Sequence, residues 1–151
     1  MWLVGRQFSG KPCGGHLTEV RCVRRAYESY EHFYVINQRI DLLEDMRDKT
    51  YFITHSERDW KFLINLWEAF RILSRERPGV ILSTGAGPAV PFAVVGRFIF
   101  GCRIIFIETV TRVTAPSLTG RLMYHLAHEF FYQWRTLERF FPSARYGGPL
   151  L

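Results

Sequence analysis

Apolar positions along this chain follow two alternating rhythms. Short runs of strand length occur at residues 2–4, 32–37, 50–54, 80–82 and 103–107. Between them the apolar positions recur at helical spacing. Leu17, Val20, Val23, Tyr27 and Tyr30 predict a helix over 17–30. A long helix is expected over 59–77, stopped by Pro78, and another over 88–100, with Gly101 as its C-terminal cap. Ser117 is a suitable N-cap for a helix running to about 130. A short helix over 40–46, a strand over 131–133, a helical turn over 136–140 and a last strand at 145–146 complete the pattern, and Gly147-Gly148-Pro149 reads as a linker or a truncated tail. Strands alternating with helices predict one α/β domain over residues 1–151, a Rossmann-like parallel sheet with helices on both faces.

The helix over 59–77 carries more apolar surface than a sheet can cover. Phe62, Leu63, Leu66, Phe70 and Leu73 make one stripe, and Trp60, Ile64 and Trp67 a second beside it. Together they span roughly 200°, where about 100° suffices for one sheet face. Lys61, Arg71 and Arg75 border or interrupt this arc. Apolar surface edged by cations suits a bilayer interface or a partner protein; deep burial is the other way to accommodate it.

Composition narrows the class. At 48% hydrophobic and 16% aromatic residues the chain is globular. A net charge of +6, largely from arginine, favours an anionic partner, whether phosphate, anionic membrane or nucleic acid, although a solvated basic surface has the same composition. Cys13, Cys22 and Cys102 are odd in number and far apart, which argues against a disulfide framework or a zinc site and fits a reducing cytosol. The apolar start at Met1 is too short for a signal peptide. Arg97 and Arg103 break the longest apolar run, so membrane contact is expected to be peripheral.

Chemistry concentrates in the turns. The strand at 80–82 leads into Ser83-Thr84-Gly85-Ala86-Gly87, and Pro88 then suits the first turn of a helix. Strand, glycine turn and helix start aim backbone N–H groups at an anion, and an ordinary tight βα turn has the same composition. Gly5, Gly10 and Lys11 match most of a nucleotide P-loop, but Pro12 stands where a magnesium-binding hydroxyl is required. Cys13-Gly14-Gly15-His16 before a helix is better placed: its glycines admit a phosphate, and His16 is either a proton acceptor for a sugar hydroxyl or a cap. Glu108, after the strand at 103–107, either binds sugar hydroxyls or pairs with Arg112 at the surface. Ser117, Thr119 and Gly120 offer hydroxyls and backbone donors at a further helix start. His125, His128 and Glu129 match no zinc-ligand spacing and read as a polar helix face. No GxGxxG follows the first strand and no suitably placed acid follows the second, against a self-sufficient dinucleotide enzyme.

Several of these segments, in order, resemble one family. Cys13-Gly14-Gly15-His16-Leu17-Thr18-Glu19 looks like its Ser-Gly-Gly-His-Leu-x-Glu start. The stretches Ser83-Thr84-Gly85-Ala86-Gly87-Pro88, Ile107-Glu108-Thr109-Val110-Thr111-Arg112 and Ser117-Leu118-Thr119-Gly120-Arg121 look like its later loops, and Gln133-Trp134 and Ala144-Arg145-Tyr146-Gly147-Gly148 like its closing segments. The family is the acceptor-binding subunit of two-component UDP-sugar glycosyltransferases. It includes the PssD-type exopolysaccharide subunit and the membrane-anchoring subunit of the second N-acetylglucosamine transferase of dolichol-linked glycan assembly. Both are similar to the N-terminal half of the peptidoglycan lipid-intermediate glycosyltransferase.

The resemblance implies half of a GT-B enzyme, peripheral on the cytoplasmic face of the plasma membrane. A partner subunit would hold the UDP-sugar, so this chain would bind no cofactor, metal or nucleic acid of its own. His16 would be the base. Gly14, Gly15, Thr84, Gly85, Gly87, Glu108, Arg112, Ser117, Thr119 and Gly120 would receive a polyprenyl-diphosphate-linked acceptor. A non-catalytic membrane scaffold that recruits the catalytic subunit is the alternative. An N-terminal span like the eukaryotic member's is not expected here, and the bacterial branch is the expectation. Cys13 replaces the family's serine, and the segment 5–12 is irregular where the family runs straight from strand to loop.

Overall fold

The apolar runs become strands β1 (Trp2–Gly5), β2 (Phe33–Asn37), β3 (Thr50–Ile53), β4 (Val80–Ser83), β5 (Arg103–Ile107), β6 (Glu129–Tyr132) and β7 (Arg145–Tyr146). The helices are α1 (His16–Cys22), α2 (Lys61–Glu76), α3 (Ala89–Phe98) and α4 (Leu118–Leu126). The computed structural model describes residues 2–5, 16–37, 50–54, 61–85 and 87–150. All seven strands join one sheet in the order β3-β2-β1-β4-β5-β6-β7, and every pair is parallel.

Alternation along the strands explains the two layers. Phe33, Val35, Ile81, Ile104, Phe106, Phe130 and Tyr132 face the larger core cluster, which also takes Ala69, Ile72 and Leu73 of α2, Phe92 and Val95 of α3 and Met123 of α4. Tyr34, Ile36, Leu82 and Ile107 face a smaller cluster containing Val20 of α1 and Tyr27. Each such fully buried side chain contributes about 1.5–3 kcal/mol. The chain runs from β1 outward through β2 to β3, then restarts on the other side of β1 with β4. The gap between β1 and β4 is therefore the topological switch point. The parallel strands put the C-terminal ends of β1, β4, β5 and β6 at one rim.

Three elements differ from the sequence expectation. After α1 the chain passes into a 3₁₀ turn, Arg24–Ala26, instead of continuing to residue 30. Tyr27 drops into the smaller cluster, its ring edge-on to His32 and Tyr34, so its side chain is committed to the sheet. α4 stops at Leu126 because Ala127 is extended, and the segment expected to be helix to residue 130 supplies β6. The Arg97 guanidinium donates to the carbonyls of His125 and Leu126 at 3.2 and 2.7 Å, serving acceptors the helix end leaves open. The terminal segment is docked, with Leu150 N–H donating to Gln133 Oε1 at 2.8 Å. The cap of α3 is Ile99, whose N–H donates to Val95 O, and not Gly101, which follows two residues later at φ +66°. The expected helix over 40–46 lies outside the described residues.

α2 turns an unexpected face inward. Its buried line is Asn65, Ala69, Ile72 and Leu73. Asn65 Nδ2 donates to Thr54 O and Glu68 Oε2, and Glu68 accepts from Thr54 N–H and Oγ1–H, so a polar pair fixes the end of β3. Phe62, Leu63, Trp67 and Phe70 are left on the outside. Trp60 lies outside the described residues.

Candidate functional site

The rim at the switch point gathers most of the expected residues. The turn after β4 holds Thr84 and Gly85, both buried, and then Gly87 and Pro88 at the start of α3. Ser83 Oγ donates to Gly85 O and accepts from Gly85 N–H, each at 3.2 Å, which closes the turn locally. Gly85 has φ +124°, a backbone state that L side chains rarely adopt, so glycine is required there. One strand over, Glu108 follows β5, and Ser117, Thr119 and Gly120 form the entry to α4. His16 is the first residue of α1, whose start also belongs to this rim. Gly14 and Gly15, with Gly10, Lys11 and Pro12, lie outside the described residues. Arg112 is exposed in the loop after β5.

Glu108 is not a surface carboxylate paired with Arg112. It is 1% exposed, and Ser117 Oγ–H donates to its Oε1 and Oε2 at 2.9 and 3.2 Å. The Thr109 N–H donates to Oε1 at 3.2 Å. Ser117 Oγ in turn accepts from Gly120 N–H at 2.7 Å, so the N-cap of α4 is braced by a buried acid. Burial pushes the Glu108 carboxyl above its ordinary pKa, against weaker lowering by Ser117, the backbone donors and Arg112.

Such a carboxyl binds protons more readily in the folded chain than in the unfolded one. Stability therefore falls as pH rises through the window between its ordinary and its raised value. Glu108→Gln removes this titration. The thermal midpoint of the variant relative to wild type is expected to improve as pH rises through that window. A difference constant across that range would mean Glu108 titrates alike in both states.

A second buried carboxylate completes the rim, and the sequence reading assigned it no role. Glu19 of α1, also 1% exposed, accepts from Val110 N–H at 2.6 Å, Thr109 Oγ1–H at 3.1 Å and Gln133 Nε2–H at 3.2 Å. Gln133 also donates to Glu108 O at 3.0 Å, and Trp134 Nε1–H to Val110 O at 2.6 Å. An acid between the apolar positions Leu17 and Val20, and a polar residue directly after the run Phe130-Phe131-Tyr132, were the available signals. His125, His128 and Glu129 do not share a helix face. His128 Nδ1 accepts from Ile104 N–H at 3.0 Å, while Glu129 bridges Arg103 and Arg145 across the sheet.

Residues 54–150 match the family model described as oligosaccharide biosynthesis protein Alg14 like. The chain belongs to the Alg14-like family. Its curated relatives include the UDP-N-acetylglucosamine transferase subunits ALG14 of Rattus norvegicus, 32% identical, and of Homo sapiens, 30% identical, each over 94 residues. These matches cover 59% of this chain and 44% of each relative, so the chain spans under half the length of those Alg14 proteins. The fold is also that of solved structures. Acinetobacter baumannii MurG superposes with a TM-score of 0.70 at 14% identity over 89% of this chain and 42% of MurG. The UDP-GlcNAc 2-epimerase of Methanocaldococcus jannaschii gives 0.67 at 11% identity over 91% of this chain and 40% of that one. The Alg14-like chain thus has a Rossmann-like sheet equivalent to one half of a GT-B protein.

Proposed function

We propose that this chain is the acceptor-binding, membrane-associating subunit of a two-component UDP-sugar glycosyltransferase. It would extend a polyprenyl-diphosphate-linked saccharide in polysaccharide biosynthesis, at the cytoplasmic face of the plasma membrane. One observation carries the reading: the glycine turn after β4, the Glu108–Ser117 cap and the start of α1 share the rim at the switch point of a half-GT-B sheet. The names of the Alg14 relatives, each a transferase subunit, support the division of labour.

In this reading the backbone N–H groups around Gly14, Gly15 and Gly87 receive the acceptor diphosphate, in the turn that Thr84 and Gly85 shape, assisted by the charge of Arg112. Thr119, at the entry of α4, faces the acceptor saccharide. Glu108, Ser117 and Gly120 act as the brace that holds that entry in place. The acceptor hydroxyl attacks the anomeric carbon of a UDP-sugar held by the partner. His16 takes the hydroxyl proton as the new C–O bond forms, and UDP departs with the electron pair of the broken bond.

The test is transfer from a UDP-sugar to a lipid-diphosphate acceptor by this chain alone, by its donor-binding partner alone, and by the two together. Only the pair is expected to transfer. His16→Ala in the pair should lower kcat by about 10²–10⁴. Full transfer by this chain alone would refute the two-subunit reading. A pair that ignores the His16 change would favour a scaffold that only recruits the catalytic subunit.

A further inference from the structure

Resting on the transferase reading, we infer that Glu19 is a positioning residue: its buried carboxylate fixes α1 in register with the loop after β5, so that the His16-bearing helix start and the Glu108 cap move as one piece. α1 follows β1, while Thr109 and Val110 follow β5, with β4 lying between those strands in the sheet. Glu19 crosses this interval and takes donors from both residues of the loop and from Gln133 at the end of β6. Val110 is gripped on both sides, its N–H by Glu19 and its carbonyl by Trp134.

The donor pattern suits a carboxylate. Backbone N–H, hydroxyl and amide NH₂ all present hydrogen to one carboxylate oxygen, Oε1. A neutral amide in its place turns one of two acceptor ends into a donor and gives up the charge-assisted strength of the contacts. Charge and reach therefore both matter. Glu19→Gln keeps the shape and loses the anion; Glu19→Asp keeps the anion and shortens the reach.

In the two-subunit complex, with rates expressed per folded complex, Glu19→Gln is expected to lower kcat about tenfold or more and leave KM for the UDP-sugar within about twofold. Glu19→Asp should recover part of the loss. A purely structural role would lower the thermal midpoint without changing kcat per folded complex. Wild-type kcat in Glu19→Gln overturns the inference and leaves the transferase reading standing. A wild-type complex that transfers nothing defeats the transferase reading instead. The clamp is then read in this chain by hydrogen exchange at the Val110 amide: protection should fall about tenfold or more in Glu19→Gln, and unchanged protection overturns the inference.

Discussion

Gly120→Ala should lower the thermal midpoint by about 10 °C and abolish most transfer in the two-subunit complex. A methyl built on Gly120 overlaps Glu108 Oε2, comes within 2.7 Å of Glu108 Cδ and within 3.0 Å of Ser117 Oγ. Glu108 is the end of a side chain and could in principle swing aside, but it is buried and tied to Ser117 Oγ and Thr109 N–H. Moving it leaves a carboxylate without donors in the interior and frees the cap of α4. Overpacking alone costs about 1–3 kcal/mol. Uncovering a buried polar group adds about 1–3 kcal/mol. For a chain of this size each kcal/mol moves the midpoint by roughly 3 °C.

The mechanism has its own control. In a Glu108→Ala background the new methyl meets space instead of a carboxylate, so the added cost of Gly120→Ala should shrink by more than half. Strictly additive losses in this double-mutant cycle would place the strain of Gly120→Ala somewhere other than Glu108.

The sheet was legible because a buried parallel strand must be apolar on both faces. Ile104-Ile105-Phe106-Ile107 is short and rich in β-branched residues, which suits such a strand. Punctuation was legible too, where one residue type does one job: Gly101 at positive φ, Ser117 accepting the Gly120 N–H. Errors arose where periodicity competes with tertiary demand. His125 to Phe130 continues a helical pattern, but Phe130 and Tyr132 are needed by the larger cluster, and the sheet claimed them. Tyr27 was lost from α1 in the same way, on the opposite face.

The rim was only half legible. Glycine turns announce themselves by composition. Glu19 is separated from Thr109 by 90 positions and from Gln133 by 114, and nothing local in the sequence says that an acid on one helix will meet donors that far along. Glu108 was found because it ends an apolar strand, but its burial was not, since Arg112 four residues on offered a plausible surface partner. The two acids turn out to be a connected pair: Gln133 donates both to Glu19 and to the Glu108 carbonyl, joining the clamp to the cap.

Leu63→Glu/Trp67→Glu should reduce binding to anionic vesicles about 100-fold or more without lowering the thermal midpoint. Leu63 and Trp67 are 66% and 60% exposed, with Phe62 and Phe70 beside them, because Asn65, Ala69 and Leu73 occupy the inward face. The patch continues past the Phe70–Phe100 ring contact to Phe98 and Ile99 at the end of α3. Arg71 lies 5.1 Å from the Trp67 ring centre and Arg97 lies 5.6 Å from that of Phe98, so cations edge the apolar surface where headgroup phosphates would meet them. Among the described residues no helix is long and apolar enough to cross a membrane. α2 returns the chain from the end of β3 to the start of β4. Phe62 and Leu63 in its first turn therefore lie towards the same rim as the glycine turn; on the proposed function, a lipid-linked diphosphate would reach that turn from a bilayer at this face. Burying two such side chains is worth about 1.5–3 kcal/mol each, and replacing them by anions adds repulsion from the lipid charge. Neither residue supports the core, so folding should be indifferent. Wild-type vesicle binding in the variant, with loss of the donor-binding subunit instead, would make this face a protein interface.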